Sequence, residues 1–264
     1  MYLIGIDLDG TLLNDQGKLS SFTKITLGKV VEQGNKVVIA TGRHPLVTTP
    51  ILEELGLTNT YVSFNGAYIK LPSETLKFTY SWNRVSELSK VLKQRECLHV
   101  FGTESAYYVD NVYAKINGGK RRIKVPIKLV ADVTEVKEPI FKTSILGKQE
   151  DMDFVEDWVA PYVADAGLVM FRSSEDSIDI VDDNVSKGKA LALLAENFQV
   201  DHSQTMAFGN YLNDESMIAY ANLGVAMENA PAKLKFSANY VTKSNEEDGV
   251  AIVLENNLLK QKVK

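Results

Sequence analysis

The chain of 264 residues can bury a large core and exceeds the usual single-domain size, which predicts two unequal domains. Its 45% hydrophobic and 24% charged residues are those of an ordinary globular protein, and a formal charge of -5 argues against a partner bound by neutralising nucleic-acid phosphates. A single cysteine, Cys97, excludes an intramolecular disulfide framework and fits a reducing compartment. The N-terminal apolar run is too short for a signal peptide and no run of about 18 apolar residues occurs, so a cytoplasmic protein without a membrane span is expected.

Residues 4–13 read Ile-Gly-Ile-Asp-Leu-Asp-Gly-Thr-Leu-Leu, an apolar strand ending on two carboxylates, Asp7 and Asp9, followed at once by Gly10 and Thr11. Paired carboxylates in a confined site resist ionising together, which implies a cation between them, and magnesium suits such hard oxygen donors. Ser20 or Ser21 can cap a helix through about Glu32, closed by Gly34, and the β-branched run Lys36–Ala40 is too short for anything but a strand. This second strand ends in Thr41-Gly42-Arg43. Pro45 then opens a helix that Pro50 distorts and Gly56 stops, and a third strand over 61–64 ends in Asn65-Gly66. Strands alternating with helices imply a parallel sheet, whose ligands bind beyond the carboxyl ends of its strands, so Asp7, Asp9, Thr41 and Asn65 are expected to converge on one edge.

From about Asn83 the pattern changes. A polar helix over 83–94, strands at 98–102 and 106–109, a Gly118-Gly119 break, a strand at 141–146, a helix near 151–159 and a hairpin-like pair at 168–172 and 177–181 predict a small α+β unit. It reads as a cap spanning 83–183, inserted into a core of 1–82 and 184–264, with polar joints near Trp82 and Asp183-Asn184. The basic run of Lys120, Arg121, Arg122, Lys124 and Lys128 reads as a solvated face. The βα alternation then resumes. Ser186 caps a helix with Ala190, Leu191, Leu194 and Phe198 on one face, and a strand over 205–208 ends in Gly209-Asn210-Tyr211-Leu212-Asn213-Asp214, with further βα elements through Val225 and Val241.

Five motifs, in this order over nearly the whole chain, resemble the haloacid dehalogenase (HAD) superfamily, specifically the Cof-type phosphatases with a large type-IIB cap. They are Asp-Leu-Asp-Gly-Thr-Leu-Leu at 7–13, Ala-Thr-Gly-Arg at 40–43, Asn-Gly-Ala at 65–67, Ser-Lys-Gly-Lys-Ala-Leu at 186–191 and Phe-Gly-x-x-x-Asn-Asp-x-x-Met at 208–217. The resemblance implies an α/β fold, with a Rossmann-like core of parallel sheet and helices on both faces plus an inserted α+β cap. It also implies a magnesium-dependent phosphatase in which Asp7 is the nucleophile, forming an aspartyl-phosphate, and Asp9 the general acid/base. Leu8, Thr41, Gly42, Lys187 and Asn213 would bind phosphate, Lys187 rather than Lys189 supplying the positive charge. Asp7, Asp9, Asn210 and Asp214 form the expected magnesium set, with Asp214 either an outer metal partner or a residue that holds its loop. Asn210 departs from the family pattern, which has Asp there. Its amide oxygen is still a hard donor, but the site loses one negative charge, and weaker yet functional metal binding is expected.

The cap is expected to exclude water and to contact the leaving group. Arg43, His44, Asn65 and Asp179 are the candidates for that contact, although Asp179 could equally point outward on a half-exposed strand. His99 and His202 read as incidental, and Trp82 and Trp158 as packing. The expected partner is a small phosphorylated metabolite, a sugar phosphate by resemblance, with no nucleic acid, no membrane, and a monomeric or weakly dimeric state. The alternatives are a phosphomutase of the same superfamily and a degenerate regulatory protein that binds phosphorylated ligands without turnover.

Overall fold

The computed structural model describes residues 1–95, 97–110 and 125–260; the Gly118-Gly119 break and Lys120, Arg121, Arg122 and Lys124 lie outside them. The described residues form two sheets. The first has eight strands in the order β14-β13-β12-β1-β2-β3-β4-β5, built from β1 (Leu3–Ile6), β2 (Lys36–Ala40), β3 (Tyr61–Ser63), β4 (Tyr68–Lys70), β5 (Thr75–Lys77), β12 (Thr205–Gly209), β13 (Leu223–Ala226) and β14 (Tyr240–Val241). From β14 to β3 all neighbours are parallel, as the βα alternation requires. The β4–β5 hairpin adds two antiparallel strands that the sequence reading did not include.

Alternation along β1 and β2 explains why both run so apolar. Ile4, Ile6, Val37 and Ile39 face a layer that includes Leu27 and Val30 of α1 (Ser21–Glu32), Leu52 of α2 (Pro45–Leu55) and Val250 and Leu254 of α7 (Gly249–Leu254). Leu3, Val38 and Ala40 face Ala190, Leu191 and Leu194 of α5 (Lys187–Asn197) and Met217 of α6 (Glu215–Tyr220). Strands buried on both faces must be hydrophobic throughout, which places polar groups at their tips. Local signals set the helix starts: the Ser20 hydroxyl accepts from Thr23 N–H and the Ser186 hydroxyl from Lys189 N–H, while Pro45 begins α2 and Gly56, in the left-handed region, closes it.

The second sheet lies between Leu98 and Asp182, in the order β10-β11-β9-β6-β7-β8. Its strands are β6 (Leu98–Gly102), β7 (Tyr107–Asp110), β8 (Ile127–Val130), β9 (Lys142–Leu146), β10 (Leu168–Ser174) and β11 (Ser177–Asp182). Helices α3 (Ser86–Gln94) and α4 (Gln149–Asp165) cover one face, where Leu88, Leu92, Met152, Val155 and Val159 bury Phe101, Ile145, Ile178 and Ile180, with Trp82 and Trp158 packed alongside. Because strand residues alternate, Lys142, Ser144 and Asp179 emerge on the other face, toward the eight-stranded sheet. A small cluster of Phe64, Ala67, Phe141, Val181 and Val185 joins the two parts.

Several elements differ from expectation. The third strand stops at Ser63, one residue early, because Phe64 and Asn65 both adopt positive φ, 51° and 56°. Residues Trp82–Val85 form a 3-10 turn, and only from Ser86 does the polar helix begin. The helix expected near 151–159 extends to Gln149–Asp165, through Pro161, because Val155, Val159 and Val163 continue the buried stripe. Lys128 lies on β8, which no sequence signal indicated, and its exposed ammonium pairs with Glu138 at 3.0 Å.

Candidate active site

The tips of β1, β2 and β3 lie together, as the alternation implied, and the loop after β12 and the start of α5 join them. Asp7 follows the last residue of β1, and its N–H donates to the Phe208 carbonyl at 3.0 Å, extending the β1–β12 register to the sheet edge. Lys187 is the first residue of α5, placed by the Ser186 cap. Its Nζ donates to Asp7 Oδ1 at 2.6 Å and to Asp214 Oδ1 at 2.6 Å. The Asp214 Oδ2 atom accepts from the main-chain N–H groups of Asn210 (2.9 Å) and Tyr211 (3.2 Å), so this carboxylate carries both the lysine and the loop after β12.

Lys187 and Asp214 side chains are both 0% exposed, so their charges interact with little solvent screening. Burial pushes the Asp7 carboxyl up to about 7, with Asp214 and Asp9 adding to the rise and Lys187 opposing it. Burial alone would pull the Lys187 ammonium down, but Asp214 and Asp7 outweigh it and hold it above the ordinary lysine range. One positive charge thus sits between two carboxylates, a set with spare negative charge at its open end.

Asp9 is placed differently. Its carboxylate is 59% exposed and lies in a bidentate pair with Arg43, Nε to Oδ2 at 2.7 Å and Nη2 to Oδ1 at 2.5 Å. Burial lowers the Arg43 guanidinium's affinity for its proton, and the pairing with Asp9 more than restores it. Beyond it, Gly10 has φ +71°, and a Cβ there would lie 2.3 Å from Asn210 Nδ2. Only glycine permits the loops after β1 and β12 to approach this closely. Thr11 Oγ1 donates to Asn210 Oδ1 at 2.9 Å, fixing that amide beside Asp7's loop.

The segment 41–44 makes the third wall. Thr41 is buried, its carbonyl accepts from Asn65 N–H at 3.0 Å, and its hydroxyl accepts from Arg43 N–H at 3.2 Å. Gly42 packs so tightly that a Cβ would meet Asn65 Oδ1 at 2.9 Å and Asp179 Oδ2 at 3.3 Å. Asn65 bridges inward and outward, accepting from Asn213 Nδ2 at 3.0 Å and donating to Asp179 Oδ2 at 2.8 Å. Asp179 therefore points into the site, which resolves the alternative of an outward orientation. It is further held by Ser144 Oγ at 2.7 Å and Lys142 Nζ at 2.9 Å, and the same Nζ donates to the Gly42 carbonyl at 2.9 Å.

One expectation needs correction. Both ring nitrogens of His44 are engaged within the protein: Nδ1 accepts from Leu46 N–H at 3.1 Å, capping α2, and Nε2 meets the Thr103 carbonyl at 2.9 Å. Burial pulls the imidazole down to about 4, so it is neutral, Nε2 carries the proton and donates, and no nitrogen faces a leaving group. Asp214 holds its loop and Lys187 with both oxygens, and direct metal ligation would cost one of those bonds. Lys142 was missed. The available signal was a lysine and a serine two residues apart on one strand, which share a face, but nothing in the sequence told that Ser144 pairs in register with Asp179.

No group of three or more His, Cys, Asp or Glu side chains that could hold a metal exists among the described residues. The donors that fit magnesium are instead mixed. Among those residues Asp7 has a hydrogen bond only at Oδ1, leaving Oδ2 as a hard oxygen donor, and the Asn210 amide lies across the Gly10 contact.

Residues 4–254 match the family of haloacid dehalogenase-like hydrolases. The chain belongs to this family. Relatives named phosphatases match nearly the whole chain. It is 30% identical over 283 residues to the phosphatase YwpJ of Bacillus subtilis, covering 97% of this chain and 99% of the relative. It is 30% identical over 254 residues to the 5-amino-6-(5-phospho-D-ribitylamino)uracil phosphatase YcsE of the same organism, covering 94% of this chain and 92% of the relative. The solved structure of a haloacid dehalogenase-like hydrolase from B. subtilis superposes with TM-score 0.85 at 27% identity, covering 98% of this chain and 100% of that one. No described helix is long and apolar enough to cross a membrane.

Proposed function

We propose that this HAD-type phosphatase is magnesium-dependent and hydrolyses small phosphorylated metabolites through an aspartyl-phosphate on Asp7. The observation that carries the reading is the buried Lys187 ammonium, 2.6 Å from Asp7, at the one edge where Thr41, Asn213 and Asp9 also arrive. A carboxylate oxygen of Asp7 forms the new bond to phosphorus while the bond to the leaving oxygen breaks, and Asp9 gives that oxygen its proton. Water then attacks the phosphorus of the acyl phosphate, losing its proton to Asp9 and restoring the Asp7 carboxylate. Lys187, the Thr41 hydroxyl, Asn213 and main-chain N–H groups at Leu8 and Gly42 stabilise the spread negative charge of the transferring group. Asp7, the main-chain carbonyl of Asp9 and Asn210 would hold the magnesium, which when bound offsets the repulsion between Asp7 and the phosphate. Asp9 must leave Arg43 to reach the leaving group, so Arg43 is freed to meet substrate in the same motion.

The similarity to a 5-amino-6-(5-phospho-D-ribitylamino)uracil phosphatase supports a sugar or sugar-alcohol phosphate as the substrate. Residues 83–183 would open and close as the cap of a cytoplasmic enzyme, monomeric or weakly dimeric. The test is phosphate release from a panel of hexose and pentose phosphates and 5-phosphoribitylaminouracil, with and without magnesium, by wild type and Asp7→Asn. Magnesium-dependent release without a bisphosphate activator separates a phosphatase from a phosphomutase, and no release at all points to a binding protein. Persistent activity in Asp7→Asn would remove the covalent mechanism.

A further inference from the structure

Among the contacts between the two sheets, one reaches the phosphate-binding loop through its backbone. Lys142 on β9 sends its ammonium across the seam to the Gly42 carbonyl at 2.9 Å, while Asp179 on β11 holds the same ammonium at 2.9 Å. The pair is almost fully enclosed, with side-chain exposures of 9% and 3%. Enclosed ion pairs contribute little to stability relative to apolar packing, so a role other than stability is the natural reading of one placed here.

Peptide geometry supplies that role. The Gly42–Arg43 peptide is trans, so its carbonyl and its N–H point in opposite directions. With the carbonyl drawn toward Lys142, the Arg43 N–H is turned back onto Thr41 Oγ1, where it donates at 3.2 Å. A hydroxyl that accepts from behind has its own proton free to donate forward. Asn65 secures the opposite side of the same turn, donating its N–H to the Thr41 carbonyl at 3.0 Å and its Nδ2 to Asp179 at 2.8 Å.

We propose that Lys142 is a positioning residue: through the Gly42 carbonyl it orients the Gly42–Arg43 peptide, and with it the Thr41 hydroxyl, for the transferring phosphoryl group. This rests on the phosphatase reading above. It makes the completed phosphate site conditional on the cap being seated, whatever the leaving group. A lysine that instead touched the leaving group would discriminate among substrates, whereas one acting through Thr41 affects all phosphate esters alike.

The experiment compares wild type, Lys142→Met, and Lys142→Met/Asp179→Asn, the last removing the buried charge that the single variant strands. Steady-state kinetics use p-nitrophenyl phosphate and a hexose 6-phosphate. Orthovanadate affinity, measured with magnesium by the shift in melting temperature, reports the phosphate site without turnover. The expected result is a loss in kcat of about tenfold or more, equal on both substrates, with KM changed less than about threefold and vanadate bound about tenfold more weakly. A merely structural lysine would lower the melting temperature and leave kcat and vanadate affinity intact in the folded fraction. That outcome overturns the inference, as does a loss confined to one substrate or to KM, or wild type that does not bind vanadate. If wild type binds vanadate, weakened in the variants, yet releases no phosphate from any ester, the phosphatase reading fails and the positioning role stands.

Discussion

Two buried lysines divide the molecule's chemistry. Lys187, at a strand-tip edge, has two carboxylate partners, Asp7 and Asp214. Lys142, at the seam, has one carboxylate, Asp179, and a main-chain carbonyl. The first set carries more negative than positive charge and so holds a standing attraction for a divalent cation. The second is balanced and binds groups on the other sheet as well, so separating the sheets would break its hydrogen bonds to the Gly42 carbonyl and Asn65 while leaving the Lys142–Asp179 pair together. The same residue type thus organises charge for chemistry in one place and geometry in the other.

The largest test of this contrast is Lys187→Met. It removes the only positive charge facing Asp7 in the buried set, and kcat for phosphate release is expected to fall at least about hundredfold, the scale of losing one preorganised electrostatic contact. It also strands Asp214 beside Asp7, and a buried pair broken on one side costs about 3–5 kcal/mol, read in a urea titration. A variant with activity within about fivefold of wild type would remove Lys187 from the transfer step.

The contrast also marks what was legible in the sequence. Asp7, Asp9, Thr41 and Asn65 could be placed together because each ends a recognisable strand in a βαβ chain, and strand tips of a parallel sheet share an edge. Ser186 marked the start of α5, but the choice of Lys187 over Lys189 came from the resemblance of Ser-Lys-Gly-Lys-Ala-Leu to the family motif. The Lys142–Asp179 pair was not, because it depends on antiparallel register between β9 and β11 and on which face of that sheet meets the core. The role of His44 was hidden for a related reason: its partner, the Thr103 carbonyl, is 59 residues away, in the turn between β6 and β7. The β4–β5 hairpin escaped because its two three-residue strands carry no long alternation.

A smaller effect is expected where the core site departs from its family pattern. Asn210→Asp adds a negative charge to the side chain whose oxygen accepts from Thr11, and the magnesium concentration giving half-maximal phosphate release should fall by about five- to tenfold. The comparison is with wild type at constant ionic strength, since screening alters both. An unchanged magnesium requirement would show that residue 210 does not contact the ion.

The smallest effect belongs to the seam, and its pH dependence carries the information. His44→Asn retains an N-cap acceptor for α2 but loses the Nε2–H bond to the Thr103 carbonyl, so at pH 8 it should be less stable by about 1 kcal/mol. In wild type the imidazole falls from 6.5 to about 4 on folding because burial disfavours its charge, with Lys142 adding to the fall and the Thr103 bond and Glu104 opposing it. Between those values the unfolded chain binds a proton that the folded one refuses, so wild type loses stability as pH falls from about 6.5 toward 4. The variant has no such proton to take up. Asp7 titrates with the opposite sign, its raised value favouring the folded state at low pH, but it is common to both proteins and cancels in their difference. Urea midpoints at pH 8, 6.5 and 5 should therefore show the gap between the two proteins closing on acidification, and a gap that stays constant would mean the folded imidazole takes up its proton as readily as the unfolded one.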